Sequence, residues 1–321
     1  MRSVSIIIPT YKGSENIRAS VCSALAIKEL EKEIIVVDDN GKGSDNQLKT
    51  FSALEDLIKE GKLIYLVHEK NKNGSAARNT GFKASSGQYI AFLDDDDYLF
   101  PDKLKVQIEQ LENKGKEYGG SVTAGYYVHK NGRGYLKKIH KENDFLYNYM
   151  LDRNYFNTSA LVIKREVIEK IGGFDESFFR HQDWEFCSRL LTITKICYIN
   201  EPLFIKFAEN RNVPSNIETR IEQLDYFHSK ITNVWKQQLS QKQINIIKRY
   251  RYRQIFQGYI FQKKVIKGVQ YLFSRGCSIV DVLIGIIEII EFVIRRVVLG
   301  NKKVTYSYDE IKEKNRGTIW I

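Results

Sequence analysis

Cysteine is scarce and scattered in this 321-residue chain. Cys22, Cys187, Cys197 and Cys277 lie far apart, with no Cys-x-x-Cys pair. That argues against a disulfide framework or a zinc site and fits reduced thiols in a cytoplasm. No internal repeat or low-complexity segment interrupts the sequence. The apolar run before Pro9 is too short for a secretory signal and reads as a first strand. Acid is missing altogether between Tyr226 and Val280, a stretch that carries eleven lysines and arginines. Those eleven equal the net charge of +11, so the rest of the chain is neutral. The chain therefore divides into two bodies with different electrostatics.

What is present is enough for a substantial core: 43% of residues are hydrophobic and 12% aromatic. The first 110 residues alternate short apolar runs (4–8, 33–38, 63–68, 89–93) with helical stretches (15–26, 74–85). This pattern predicts a mostly parallel α/β sheet covered on both faces. In such sheets ligands bind beyond the carboxyl ends of the strands. Three of the runs end in polar or turn-forming residues: Pro9-Thr10-Tyr11, Asp38-Asp39-Asn40, and Asp94 through Asp97. Beyond residue 115 the pattern is mixed, with strands at 122–128, 160–163 and 196–199 and a helix at 182–191. After Pro214 it turns helical, over 217–238, 241–273 and 278–299. The expected organisation is a domain over 1–215, in halves of about 1–115 and 116–215, then a basic helical region over 216–321.

Four adjacent carboxylates repel one another, and a divalent cation such as Mg²⁺ or Mn²⁺ resolves that conflict with hard oxygen ligands. Alternation along an extended strand end would send Asp94 and Asp96 one way and Asp95 and Asp97 the other. One pair could then face a metal while the other caps the helix that Pro101 helps begin. An acidic solvated loop is the plain alternative. Taken alone, Asp38-Asp39-Asn40 is a turn or a helix cap. Asn73 to Asn79 opens a helix with small residues, which would let a phosphate reach backbone N–H groups, with Arg78 adding a cation.

Together the stretches VSIIIPTYK (4–12), EIIVVDDN (33–40), NGSAARNTG (73–81), GQYIAFLDDDD (87–97) and GGFDESFFRHQDWEF (172–186) resemble the nucleotide-sugar-dependent glycosyltransferases of family 2. They occur in the family's order and cover about the first 210 residues. The resemblance implies a Rossmann-like GT-A fold and a hexosyl- or N-acetylhexosaminyl-type transferase using a UDP-sugar. It places Pro9, Thr10, Tyr11, Asp38, Asp39, Asn73, Gly74, Arg78, Asp94 and Asp95 at the donor, with Tyr11 against the base or ribose and Asp39 on a uracil edge. Asp94 and Asp96 match the family's metal-binding DxD positions. Asp183 matches the acid that deprotonates the acceptor hydroxyl, its pKa raised by partial burial and by Glu185. A helix N-cap is the structural alternative for Asp183. Thr158, His181, Gln182, Trp184 and Arg211 are candidates for acceptor or phosphate contacts; Thr158, Ser159 and Gln182 also bear on donor choice. The family reaction is one in-line displacement with inversion, and no covalent nucleophile stands out.

Two departures from the family pattern stand out. The helix-start motif is one residue shorter between Gly74 and Arg78, and Ala208 stands where many relatives have a histidine. Lys206 or Arg211 would then supply the cation over the pyrophosphate.

In the basic region aromatic residues interleave the cations, a mixture suited to nucleic acid or to an anionic membrane surface. Residues 278–300 favour the membrane. On a helix Asp281, Glu288 and Arg295 form one narrow stripe, Glu291 lies near its edge, and every other face is apolar. Acids within the run make a spanning helix costly, so an in-plane helix with a wet polar stripe is expected. A helix buried against its neighbours or in a homo-oligomer is the alternative. The resulting expectation is a peripheral enzyme on the cytoplasmic membrane face, acting on a glycan or lipid-linked glycan acceptor in surface-polysaccharide (capsule-type) synthesis. A sugar nucleotidyltransferase fits less well, because its glycine-rich basic loop after the first strand is poorly matched by PTYKGSEN. A nucleic-acid-binding protein would leave Asp94–Asp97 and the Asp183 motif without a role.

Overall fold

The computed structural model describes residues 2–128, 133–139, 144–207, 216–297 and 305–307. The first stretch alternates β1 (Ser3–Thr10), α1 (Ile17–Leu25), β2 (Glu31–Asp38), α2 (Asp45–Lys59), β3 (Ile64–Val67), α3 (Gly74–Ala84) and β4 (Tyr89–Phe92). These strands pair in parallel in the order β3-β2-β1-β4. The β-branched centres of β1 and β2 and the whole of β4 are buried, as strands covered on both faces must be. The strand order reverses between β1 and β4, which opens a crevice beyond their carboxyl ends, next to Thr10 and Asp94.

The chain continues through β5 (Asp97–Leu99), α4 (Lys103–Glu112), β6 (Tyr118–Val128), β7 (Arg133–Lys137), α5 (Phe145–Met150), β8 (Leu161–Lys164), α6 (Arg165–Ile171), α7 (Gln182–Ile193) and β9 (Lys195–Phe207). Here antiparallel pairing enters: β8 lies between β4 and β6, β7 pairs with β6, and β9 runs parallel to β6 and antiparallel to β5. Through β9 and β5, Lys206 is brought opposite Asp97. Helix α3 can lie close on the parallel strands because residue 81 is glycine. A Cβ there would stand 2.4 Å from Ile7 Cγ2 and 3.3 Å from Val37 Cγ2. That close approach carries Arg78, one turn earlier, to the strand ends.

The remaining helices are α8 (Ile217–Trp235), α9 (Gln241–Phe261), α10 (Val265–Ser274) and α11 (Ile279–Val297); β10 (Thr305–Ser307) pairs with β7. The single helix expected over 241–273 is broken, because Lys263 adopts a left-handed conformation (φ 60°) between α9 and α10. One hydrophobic cluster runs from Val4 to Val282, so the helical region shares the core of the sheet. Trp235 is fully buried and its indole N–H donates to Ser188 Oγ at 3.2 Å. Arg251 is 1% exposed. Its guanidinium donates to both oxygens of Asp152 at 2.8 and 3.0 Å and to the Met150 carbonyl at 2.6 Å, and it lies 3.7 Å over the Trp184 ring. Pairing, hydrogen bonding and stacking together compensate a charge that would otherwise not tolerate burial.

Helix α11 is oriented opposite to expectation. Its acidic stripe is not wet: Asp281 is 4% exposed and accepts from Arg249 and Arg253 at 3.5 Å. Asp281 also accepts the Ser278 backbone N–H at 2.9 Å, closing the helix start. Glu288 accepts from Arg253 at 3.0 Å and Gln257 at 2.9 Å. The stripe pairs inward with residues spaced four apart on α9, and the apolar faces are left outside. Ile279, Val280, Leu283, Ile287, Ile290 and Phe292 are all exposed. The Arg295 side chain lies outside the described residues. Among them, no helix is long and apolar enough to cross a membrane.

Candidate active site

The four carboxylates do not alternate. The Asp97 N–H donates to the Asp94 carbonyl at 3.0 Å, closing a β-turn over residues 94–97. The turn resets the side-chain directions, so Asp94, Asp96 and Asp97 each bring a carboxylate oxygen within 4.8 Å of the others. Asp95 turns to β1, where it accepts from Thr10 Oγ1 at 2.7 Å. None of the four caps the next helix: α4 starts after Asp102, whose side chain makes no cap bond.

Among the described residues, Arg78 and Lys206 reach this cluster. Arg78 Nη2 donates to Asp94 Oδ1 at 2.8 Å. Lys206 Nζ lies 3.2 Å from Asp94 Oδ2 and 3.1 Å from Asp97 Oδ2. Burial opposes the charge of Asp94, but Lys206 and Arg78 outweigh it and hold its carboxyl below the usual range. At Asp97 burial dominates, and with the repulsion of Asp94 and Asp96 it overcomes Lys206 and pushes the pKa up. Burial disfavours the Lys206 ammonium, yet Asp97, Asp94 and Asp96 keep it firmly protonated. Three carboxylates that each bring an oxygen within 4.8 Å of the others offer the hard donors that suit a divalent cation such as Mg²⁺ or Mn²⁺.

The second carboxylate pair is engaged within the fold. Asp38 accepts from Asn40 N and Nδ2 at 2.9 and 2.8 Å and from the Tyr65 hydroxyl at 2.6 Å. It is fully buried and does not line the crevice. Asp39 does line it, although its carboxylate meets His68 Nδ1 at 2.6 Å and accepts from Asn71, Lys72 N and Asn73 N. Asp39 thereby sets the loop before α3. The start of α3 also differs from expectation, because the Asn73 side chain accepts from Ser75 N and Ala76 N. Those amides are capped rather than open to a phosphate. Gly74 instead leaves room for side chains: a Cβ would stand 2.9 Å from Gln182 Oε1 and 3.0 Å from Arg78 Nη1.

Asp183 lies one residue inside α7, whose N-cap is His181 in a left-handed conformation (φ 60°). Asp183 is therefore not the cap. Its Oδ2 accepts from the Tyr155 hydroxyl at 2.5 Å and its Oδ1 from Trp184 N at 3.0 Å. Burial, then the charge of Asp183, push the Tyr155 phenol well above its ordinary pKa, so it stays protonated and donates. Arg189 holds the neighbouring Glu185 in a two-pronged ion pair at 2.5 and 2.7 Å. His181 stacks on Trp184 with ring centroids 4.2 Å apart. Burial, with Arg180 and Arg251 close by, pushes its pKa down to about 3, so it is a neutral ring at neutral pH.

Three cavities adjoin. One of about 870 Å³ is lined by Pro9, Thr10, Tyr11, Asp39, Asn73 and the 94–96 carboxylates, among others. A junction of about 230 Å³ brings Asp94 and Lys206 together with Thr158, His181, Gln182 and Asp183. A distal cavity of about 590 Å³ holds the other side of Asp183 with Trp184, Arg220 and Phe261. Arg180 borders all three. Ser159 lies behind Asp94, its hydroxyl accepting from Asp94 N at 3.1 Å. Arg211 lies outside the described residues. Sequence reasoning did not single out Tyr155, Arg180 or Arg220, and it missed the place of Asp97 in the cluster. The strand register that sets Lys206 opposite Asp97 is long-range, and no local motif encodes it.

A family model described as Glycosyl transferase family 2 matches residues 5–172. The chain is 31% identical to poly(ribitol-phosphate) β-N-acetylglucosaminyltransferase TarP of Staphylococcus aureus over 176 residues, 53% of this chain and 51% of TarP. It is 30% identical to the Escherichia coli UDP-Glc:α-D-GlcNAc-diphosphoundecaprenol β-1,3-glucosyltransferase WfgD, over 61% of this chain and 73% of WfgD. The chain thus spans about half the length of TarP. Its fold is shared with the mannosyltransferase PcManGT from Pyrobaculum calidifontis, solved with GDP-Man and Mn²⁺. That likeness has TM-score 0.56 and 14% identity, over 90% of this chain and 80% of that one.

Substituting Lys206→Met removes the cation shared by Asp94 and Asp97. In chelator the variant is expected to lose about 3 kcal/mol of stability, the order seen when one member of a buried pair is removed. Added Mn²⁺ should raise its melting temperature more than that of the parent. Equal metal responses in the two proteins would show that Lys206 and the ion do not share the cluster.

Proposed function

The chain belongs to glycosyl transferase family 2, and on that premise we propose that it moves a hexosyl or N-acetylhexosaminyl group from a UDP-sugar to a glycan hydroxyl in polysaccharide synthesis. The reaction inverts the anomeric carbon and uses Mg²⁺ or Mn²⁺. The observation that carries this reading is the junction cavity, which sets the Asp94 cluster and Asp183 on one small space. UDP as the donor nucleotide is supported by the reaction in WfgD's name. A divalent ion is supported by the aspartate cluster and by the Mn²⁺ in PcManGT.

In this mechanism Tyr11, 45% exposed at the crevice, packs on the base or ribose, and Asp39 stiffens the loop beneath it. Arg78 and Lys206 face the diphosphate. Asp94, Asp96 and Asp97 would hold the metal, which when bound neutralises charge on the departing β-phosphate. Asp183 takes the proton of the acceptor hydroxyl. Tyr155 orients that carboxylate and, keeping its own proton, does not compete as a base. The acceptor oxygen then bonds to the anomeric carbon as the bond to the β-phosphate oxygen breaks, and UDP leaves with the negative charge.

The acceptor is lipid-linked in this reading, and the protein sits on the anionic inner face of the plasma membrane. The support is the exposed end of the helical region. Phe261, Val265, Ile266 and Phe273 are 59%, 50%, 75% and 50% exposed, and they are interleaved with the exposed Lys263, Lys264 and Lys267. With the outer face of α11 they make an apolar surface among cations, the mixture that complements anionic headgroups.

Replacing Asp183 with Asn should leave UDP affinity intact and lower transfer by about 10²–10⁴-fold, the usual worth of a general base. Asp96→Asn should lose metal-stimulated hydrolysis of the UDP-sugar. Retained transfer in the first, or parental hydrolysis in the second, would remove that residue from its role. In flotation, the protein should rise with phosphatidylglycerol vesicles and not with phosphatidylcholine, and Ile266→Asp should stay at the bottom. A concentration-dependent dimer that ignores vesicles would instead assign this face to a second copy of the chain.

A further inference from the structure

Two residues close to the Tyr155–Asp183 pair carry a backbone conformation that a side chain adopts only at a cost. Asp152, three residues before Tyr155, and His181, two before Asp183, are both left-handed, with φ of 57° and 60°. Both lean on one side chain of the helical region. Arg251 of α9 grips the two carboxylate oxygens of Asp152 at 2.8 and 3.0 Å and the Met150 carbonyl at 2.6 Å. Tyr250 and Gln254 of the same helix also donate to Asp152, at 3.2 and 3.1 Å. The Arg251 guanidinium lies 3.7 Å from the centre of the Trp184 ring, and the His181 ring stacks on that indole at 4.2 Å and 12°. Two groups so close to one ring occupy its opposite faces, so Trp184 is sandwiched and offers no face to a sugar. The sandwich pins the first turn of α7, where the Trp184 N–H donates to Asp183 Oδ1. Helix α9 lies beyond the residues 5–172 that the family model matches.

We propose that Arg251 is the positioning residue of the acceptor base: it holds the Asp152–Tyr155 segment and the start of α7 in the register that joins the Tyr155 hydroxyl to Asp183. This rests on the transferase reading above and makes the helical region part of the acceptor site. The bond at stake is the one from Tyr155 to Asp183 Oδ2 at 2.5 Å, whose two ends come from segments that meet through Arg251. Arg251 is 1% exposed, so it acts through these two residues and not on the substrate. A guanidinium suits the task because its fork answers a carboxylate while its flat face covers an indole; an ammonium does not do both. Arg251 is itself anchored, because Arg253 and Gln257 tie α9 to Glu288 of α11 at 3.0 and 2.9 Å. Misplacing a reacting group by about 1 Å costs on the order of 10²-fold in rate, so the register of this pair bears directly on turnover.

The test is a mutant cycle on the full chain, read on hydrolysis of UDP-glucose and UDP-N-acetylglucosamine with Mn²⁺, where water stands in for the acceptor hydroxyl. Two forms probe residue 251. Arg251→Lys keeps a charge beside Asp152 without the fork, and Arg251→Met combined with Asp152→Asn removes both charges so that neither is stranded. Each is expected to lower kcat about 10²-fold with KM and UDP affinity unchanged. In an Asp183→Asn background the same changes should cost almost nothing further, because the residue through which they act is already gone. Equal losses in both backgrounds, or a parallel loss of UDP affinity, would reduce Arg251 to packing and overturn the inference. Parental turnover in Asp183→Asn alone would count against the transferase mechanism instead. A crystal of the Arg251 form that melts closest to the parent, grown with UDP and Mn²⁺, reads the geometry without turnover. Tyr155 and Asp183 out of hydrogen-bond reach are expected there, and an intact pair would overturn the inference whatever the rates.

Discussion

The structure turns on one electrostatic constraint: carboxylates gathered at the end of a buried strand, which their like charge drives apart and which Arg78 and Lys206 help hold together. Asp94, Asp96 and Asp97 are packed together by the turn that Asp97 N closes on Asp94 O. Arg78 reaches them only because α3 approaches the sheet at Gly81, and Lys206 only because β9 pairs with β5. Both halves of the fold thus contribute one cation to the same cluster. A divalent ion held there would add positive charge to the cluster, and a diphosphate beside it would answer that charge.

The acceptor side is organised by different physics. Asp183 is held by a tyrosine whose phenol is pushed well above its ordinary pKa, beside a stack of neutral His181, Trp184 and an Arg251 ion-paired to Asp152. These rigid groups fix the position of the acid without adding free charge near it. Arg180 and Arg220 stand further out, at the distal cavity, with the exposed Phe261 also in its lining.

Much of this was legible in the residues, and the losses have identifiable causes. The strand ends at Thr10, Asp39 and Asp94 stood out because buried apolar runs stopped abruptly at polar groups. Asp97 was sent to the wrong side because alternation assumes extended backbone, and a turn intervenes. Asp38 and Asp39 read alike, yet only the second lines the crevice, since strand register decides which one turns outward. Periodicity found the acidic stripe of α11 but not the way it faces. The signal for that lay in Arg249, Arg253 and Gln257, four apart on another helix, which pair with it. Arg220 carried no local signal, being one cation on a mixed helix that only the fold brings to the cavity beside Asp183.

The central claim is that the aspartate cluster holds a cation against the leaving diphosphate. Its most direct test is a crystal grown with UDP and Mn²⁺, measured at a wavelength where manganese scatters anomalously. The account predicts an anomalous peak bridging the UDP phosphates and the carboxylates of Asp96 and its neighbours. UDP seated in the crevice with no manganese at those side chains would contradict it.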